Sequence, residues 1–102
     1  MQFEWDTEKE EENIRTHGVN FTDASEIFRD YFRIVCRDDD SSVDEERYQT
    51  IGFYEEMLFV VYTERGLGDI IRIISARPAE PFERRIYANS KTLSGRWERV
   101  NF

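Results

Sequence analysis

Two hydrophobic periods divide the chain: up to about residue 30 apolar side chains recur every three or four residues, and from Arg47 they recur every second residue. Phe3-Glu4-Trp5 alternates as a short edge strand does. Asp6 then offers an N-cap side chain for a helix from about Thr7 to His17, and Gly18 ends it. Lys9, Asn13 and His17 are spaced by four and share one face, while Ile14 is the one large aliphatic anchor, so this helix is weakly amphipathic. Thr22 reads as the cap of a second, short helix whose Ala24, Ile27 and Phe28 form an apolar stripe. Tyr31 to Arg37 reads as a strand, and Asp38-Asp39-Asp40-Ser41-Ser42 as a polar loop.

Arg47 to Tyr54, Leu58 to Glu64 and Asp69 to Arg77 are β-branched and aromatic runs separated by turn sequences, which predicts an antiparallel meander. Pro81 opens a helix carrying Phe82 and Ile86 on one side and Glu83 with Tyr87 on another, ending near Asn89. The fold class is therefore α+β: a small antiparallel meander with two N-terminal helices and one C-terminal helix. Residues 1–89 form a single domain and residues 90–102 a C-terminal extension. In that extension Ser90, Thr92, Ser94 and Gly95 weaken structure, while Trp97, Val100 and Phe102 either add a strand or dock onto a partner.

If the turn at Glu55-Glu56 pairs Phe53 with Leu58, and the glycine-containing turn pairs Glu64 with Ile70, then Arg47 faces Glu64, Gln49 faces Tyr62 and Tyr62 faces Arg72. A polar cluster results at one end of a sheet face. Arg77 is five residues from Arg72 and falls on the opposite face of a regular strand unless a bulge intervenes. Such arginines suit a phosphate, since a guanidinium fork meets two oxygens at once, and His17 or Glu64 suits the role of base. The same residues also suit cross-strand ion pairs that complete a sheet surface, and His17 suits a helix C-terminus with no catalytic duty. Spacing does not separate these readings.

Composition narrows the choices. Fourteen basic and 22 acidic groups give a net charge of −8, which argues against a generic polyanion binder. The charge is uneven: residues 1–69 carry 7 basic and 19 acidic groups, net −12, and residues 70–102 carry 7 basic and 3 acidic, net +4. The basic end suits RNA and the acidic end a basic partner chain. One Cys and one His exclude a zinc cluster of thiolates and imidazoles, the acidic tract from Asp38 lacks the EF-hand register, and no nucleotide fingerprint occurs, so no metal or cofactor is expected. Cys36, beside Ile34 and Val35, reads as core. With no apolar run long enough to span a membrane and an acidic N-terminus, a cytoplasmic location is expected.

Three stretches carry a family resemblance: FEWDTEKEEENIRTHGVNF at residues 3–21, ERYQTIG at 46–52, and VVYTERG at 60–66 followed by IRIISARPAEPFERRIY at 71–87. Together they resemble the BrnT toxins. The resemblance implies a RelE-like ribonuclease of a bacterial type II toxin–antitoxin pair that cuts RNA without a metal and halts growth. It also implies a BrnA-like antitoxin with a ribbon-helix-helix module, assembled with the toxin two-plus-two and meeting operator DNA on the toxin's behalf. The sequence keeps the family's Asn13, His17, Gly18 and Phe21, then Glu46, Arg47 and Gly52, then Glu64, Arg72, Ser75, Ala76, Arg77, Glu83, Arg84 and Tyr87. It departs at Thr16, where a basic residue is common, and at Pro78-Ala79-Glu80, which together remove positive charge.

The resulting candidates are His17, Glu64, Arg72 and Arg77 for catalysis, and Lys9, Arg47, Tyr62, Arg84 and Tyr87 for binding RNA. Glu83 joins Tyr87 in reserve. The competing expectation is a toxin-like module that has lost cleavage and acts as antitoxin partner and co-repressor.

Overall fold

A computed structural model describes residues 1–39, 45–89 and 95–100. The acidic tract beyond Asp39, the small residues Ser90, Thr92 and Ser94, and Phe102 lie outside the described residues. Elements follow the chain as β1 (Gln2–Glu4), α1 (Thr7–His17), α2 (Phe21–Glu26), β2 (Ile34–Arg37), β3 (Arg47–Tyr54), β4 (Glu56–Arg65), β5 (Ile70–Pro78), α3 (Pro81–Ala88) and β6 (Glu98–Arg99). The six strands form one sheet in the order β1-β5-β4-β3-β2-β6, giving an α+β fold. β2 to β5 are the antiparallel meander, and β1 adds to its edge in parallel with β5. At the other edge β6 pairs with β2, so part of the C-terminal tail is strand. No helix among the described residues is long and apolar enough to cross a membrane.

Local chemistry sets the helix ends. Asp6 accepts hydrogen bonds from Glu8 N and Lys9 N at 2.8 and 3.1 Å, and Gly18 closes α1 with φ 73°, a left-handed geometry that glycine adopts without strain. The second helix is capped by Asn20 instead of Thr22, through a 2.7 Å bond from Asp23 N, which makes Phe21 its first residue and buries it fully. β2 begins at Ile34 and not at Tyr31, because Asp30 accepts from Phe32 N with its side chain and from Arg33 N with its backbone, holding residues 30–33 in a turn.

The sheet buries one core on each face. Phe21, Ala24 and Ile27 cover Leu58, Val60, Tyr62, Ile71, Ile73 and Ala76 on one side. On the other, Ile86 and Tyr87 of α3 pack with Trp97 on Ile34, Ile51, Phe59 and Ala79.

The register differs from expectation at both hairpins. The first reverses about Glu55 alone, whose φ of 63° makes the turn one residue tighter, so Phe53 pairs with Met57, Tyr48 with Tyr62 and Arg47 with Thr63. The second places Arg65, not Glu64, opposite Ile70, and therefore Thr63 opposite Arg72. A slip of one residue exchanges faces. Tyr62 does not face Arg72, nor Arg47 Glu64: Tyr62 joins the helix-covered core, and Glu64, two residues on, shares its face.

One irregularity restores part of the cluster. A bulge between Val61 and Tyr62 in the β4–β5 ladder inserts Ile74, so Tyr62 pairs with Ile73 and Val61 with Ser75. Ile71, Ile73 and Ala76 all enter the same core, which turns Arg72, Ser75 and Arg77 together to the opposite face. Two polar rows result there, Arg47–Thr63–Arg72 and Gln49–Val61–Ser75, beside the row Ile51–Phe59–Arg77 at the edge of α3.

Candidate active site

β1 stops at Glu4, opposite Arg72, so the outer edge of β5 beyond that point needs other partners. Asn13 supplies them. Its side-chain amide donates to Ala76 O at 2.8 Å and accepts from Ala76 N at 3.1 Å, occupying the place of a paired strand residue. The same amide nitrogen donates to Val19 O at 2.9 Å, tying the segment after the helix to its middle. Asn13 is the buried residue of α1. The helix is thus fixed along β5 by one polar side chain.

That attachment places Lys9, one turn before Asn13, and His17, one turn after, over the bulge. The two line a shallow hollow of about 270 Å³ together with Glu12, Thr16, Ile74 and Ser75. The spacing of four seen in the sequence is therefore the spacing of the site. Imidazole, ammonium and hydroxyl groups meet here, and Lys9 has no ion-pair partner among the described residues.

On the face to which Ser75 turns, both arginines of β5 are held. Arg72 pairs with Glu4 at 2.5 Å, across the β1–β5 ladder. Arg77 donates from both terminal nitrogens to the two oxygens of Glu83, each at 2.8 Å, and its guanidinium lies 4.2 Å from the centre of the Phe59 ring. The hydrogen bonds to Glu83 raise the Arg77 pKa above its ordinary value. Glu83 is itself buried and also accepts from Glu80 N at 2.8 Å, so the carboxylate that caps α3 also aims Arg77. Arg84 is directed to Ala79 O at 2.7 Å. The Tyr87 hydroxyl donates to Asp30 at 2.6 Å, and burial with that bond raises its pKa far above the ordinary phenol value. Tyr87 thus fastens α3 to the turn before β2. Arg47 is half-buried in the row with Thr63 and Arg72.

Tyr62 and Glu64 are elsewhere. Tyr62 is buried and stacks on Tyr48, with ring centroids 5.5 Å apart and planes at 24°. Glu64 is exposed and lines a different hollow, of about 310 Å³, with Val35, Arg37, Tyr48 and Arg96. The sheet separates this pair from Arg72 and Arg77. Ser75, conversely, was no candidate in the sequence, because only a bulge puts it beside the hollow, and no residue pattern announces one. Cys36 is core as expected: burial pushes its thiol up to about 11, and it contacts Gln49 Oε1 at 3.5 Å.

A family model described as the ribonuclease toxin, BrnT, of type II toxin–antitoxin systems matches residues 5–83, from Trp5, just after β1, to the Glu83 that holds Arg77. No curated protein matches the chain.

Proposed function

The chain belongs to the BrnT ribonuclease toxins of type II toxin–antitoxin systems, and from that premise we propose that it cuts RNA at the β5 bulge. The observation that carries this reading is the meeting of His17, Lys9 and Ser75 in one hollow whose floor also turns Arg72 and Arg77 to a common face. Cleavage proceeds without a metal. His17 takes the proton of a ribose 2′-hydroxyl, the freed oxygen bonds to the adjacent phosphorus, and the bond to the 5′-oxygen breaks as that oxygen receives a proton from water. Lys9 and the remaining N–H groups of Arg77 and Arg72 stabilise the charge of the pentavalent state. Arg77 costs little reorganisation, because Glu83 and Phe59 already fix it. Cutting RNA in the cytoplasm halts translation and growth. A BrnA-like ribbon-helix-helix antitoxin, two copies with two of the toxin, relieves the arrest and carries the complex to operator DNA.

A second reading, a toxin-like co-repressor with weak cleavage, is favoured by one observation. Both Arg72 and Arg77 already spend charge on Glu4 and Glu83, and Glu80 adds a further acid at the start of α3.

Purified protein incubated with single-stranded RNA distinguishes them. Cleavage is expected, falling about 100-fold or more in His17→Ala and staying near wild type in Glu64→Gln, whose carboxylate lies on the other side of the sheet. Equal losses in both variants would overturn the assignment of the bulge, and absence of cleavage by folded wild-type chain decides for the co-repressor.

A further inference from the structure

Away from the hollow, one end of the molecule exposes large aromatic side chains. Tyr31 is 58% exposed, Phe32 54% and Phe53 52%, with Val100 at 40%. They belong to one place. Asp30 accepts from Phe32 N at 2.9 Å and from Phe53 N at 2.8 Å, the Tyr31 and Phe32 rings touch edge to face at 5.3 Å, and Val100 N donates to Arg33 O at 3.2 Å. The backbone beneath this crown is fixed, because Asp30 also receives the Tyr87 hydroxyl, and Arg99 bonds to Phe32 O and Tyr87 O. A set of aromatic side chains held open to water on rigid backbone is the composition of a binding surface rather than of a solvated one.

Its rim is acidic. Next to Phe53, the hairpin tip carries Glu55 and Glu56, which line a hollow of about 260 Å³ with Asp23 and Tyr54 on the α2 side of the sheet, around the tip from the Phe53 ring. The acids act together: Glu55, with Asp23 and Glu26, raises the Tyr54 pKa. This potential repels RNA phosphates and repels a second copy of the same acidic chain, while it attracts lysine and arginine.

We propose that this crown is the docking surface for the antitoxin, received through a segment that seats apolar side chains among Tyr31, Phe32 and Phe53 and places basic side chains against Glu55, Glu56 and Asp23. The proposal rests on the toxin–antitoxin reading, though not on cleavage. It separates antitoxin recognition from the β5 hollow, so the two surfaces respond to different substitutions.

The test titrates the full chain with the product of the open reading frame adjoining its gene, by calorimetry. Tyr31→Ser with Phe53→Ser is expected to weaken the complex by at least about 30-fold, since buried aromatic anchors dominate such interfaces. Glu55→Lys with Glu56→Lys, which disturbs no packed side chain, is expected to weaken it and to flatten its salt dependence. Both variants should keep the wild-type circular dichroism and, free of antitoxin, the wild-type rate of RNA cleavage. Unchanged affinity in both variants overturns the docking surface and leaves the ribonuclease reading untouched. So does loss of wild-type self-association, by light scattering, at unchanged antitoxin affinity. Failure of the wild-type chain to bind overturns it together with the pairing on which it rests.

Discussion

Asn13 shows how much one side chain can fix. It satisfies both backbone groups of Ala76 and the carbonyl of Val19 from a buried position, and alanine there leaves all three unpaired. Asn13→Ala is expected to cost about 2–4 kcal/mol, read as a lower urea midpoint, and to abolish cleavage by releasing α1 from the bulge. Two other buried or hydrogen-bonded residues make stability depend on alkaline pH. Burial raises the Cys36 thiol from 9.0 to about 11, and the hydrogen bond to Glu46 raises the Tyr48 phenol from 10.0 to about 12. In the unfolded chain these protons leave at the lower values, so their stabilising contribution is complete below pH 9.0 and is lost as pH rises toward about 11 and about 12. Urea midpoints measured across this range should fall, and Cys36→Ala should flatten the first part of the decline. At this scale the sequence was informative where one element carried the whole message. Lys9, Asn13 and His17 needed only a capped helix and a spacing of four to be placed together.

Between elements the tolerances are narrower. Gly52 of β3 faces the turn after α2, and a Cβ built there would lie 3.0 Å from Ile27 Cβ and 3.1 Å from Ile27 O. Gly52→Ala is therefore expected to destabilise by about 1–3 kcal/mol through overpacking, checked by thermal melting. The same closeness explains what the chain did not disclose beforehand. Strand positions were readable from β-branched and aromatic alternation to within a few residues, and the α3 start from Pro81. Which side of the sheet each strand residue takes was not readable, because it depends on a single residue in a turn. Glu55 in a left-handed conformation closes the first hairpin one residue early and takes Glu64 from Arg47, and the one-residue shift of the second hairpin takes Tyr62 from Arg72. The inserted Ile74 worked in the other direction, bringing Arg77 to the side of Arg72, which a regular strand forbids.

For the molecule as a whole, the acidic and basic halves of the sequence do not become two hemispheres, since α1 with its acids lies along β5 with its arginines. In the RNA site proposed above, Glu4 and Glu83 already balance Arg72 and Arg77. Binding of a single-stranded oligonucleotide should depend only mildly on salt, with a log–log slope no steeper than about −2 against about −0.7 for each phosphate neutralised. Filter binding of wild type and Lys9→Ala tests this, and the variant should be shallower still. The pairing of Asn13 with Ala76 has one more effect, on solubility. A bare sheet margin invites strands from other molecules to add to it, and fibrils grow that way. Because an amide from a helix already sits where an incoming backbone would align, and Pro78 just beyond lacks a donor, this stretch of β5 is closed to strands of other molecules during the interval before any antitoxin arrives.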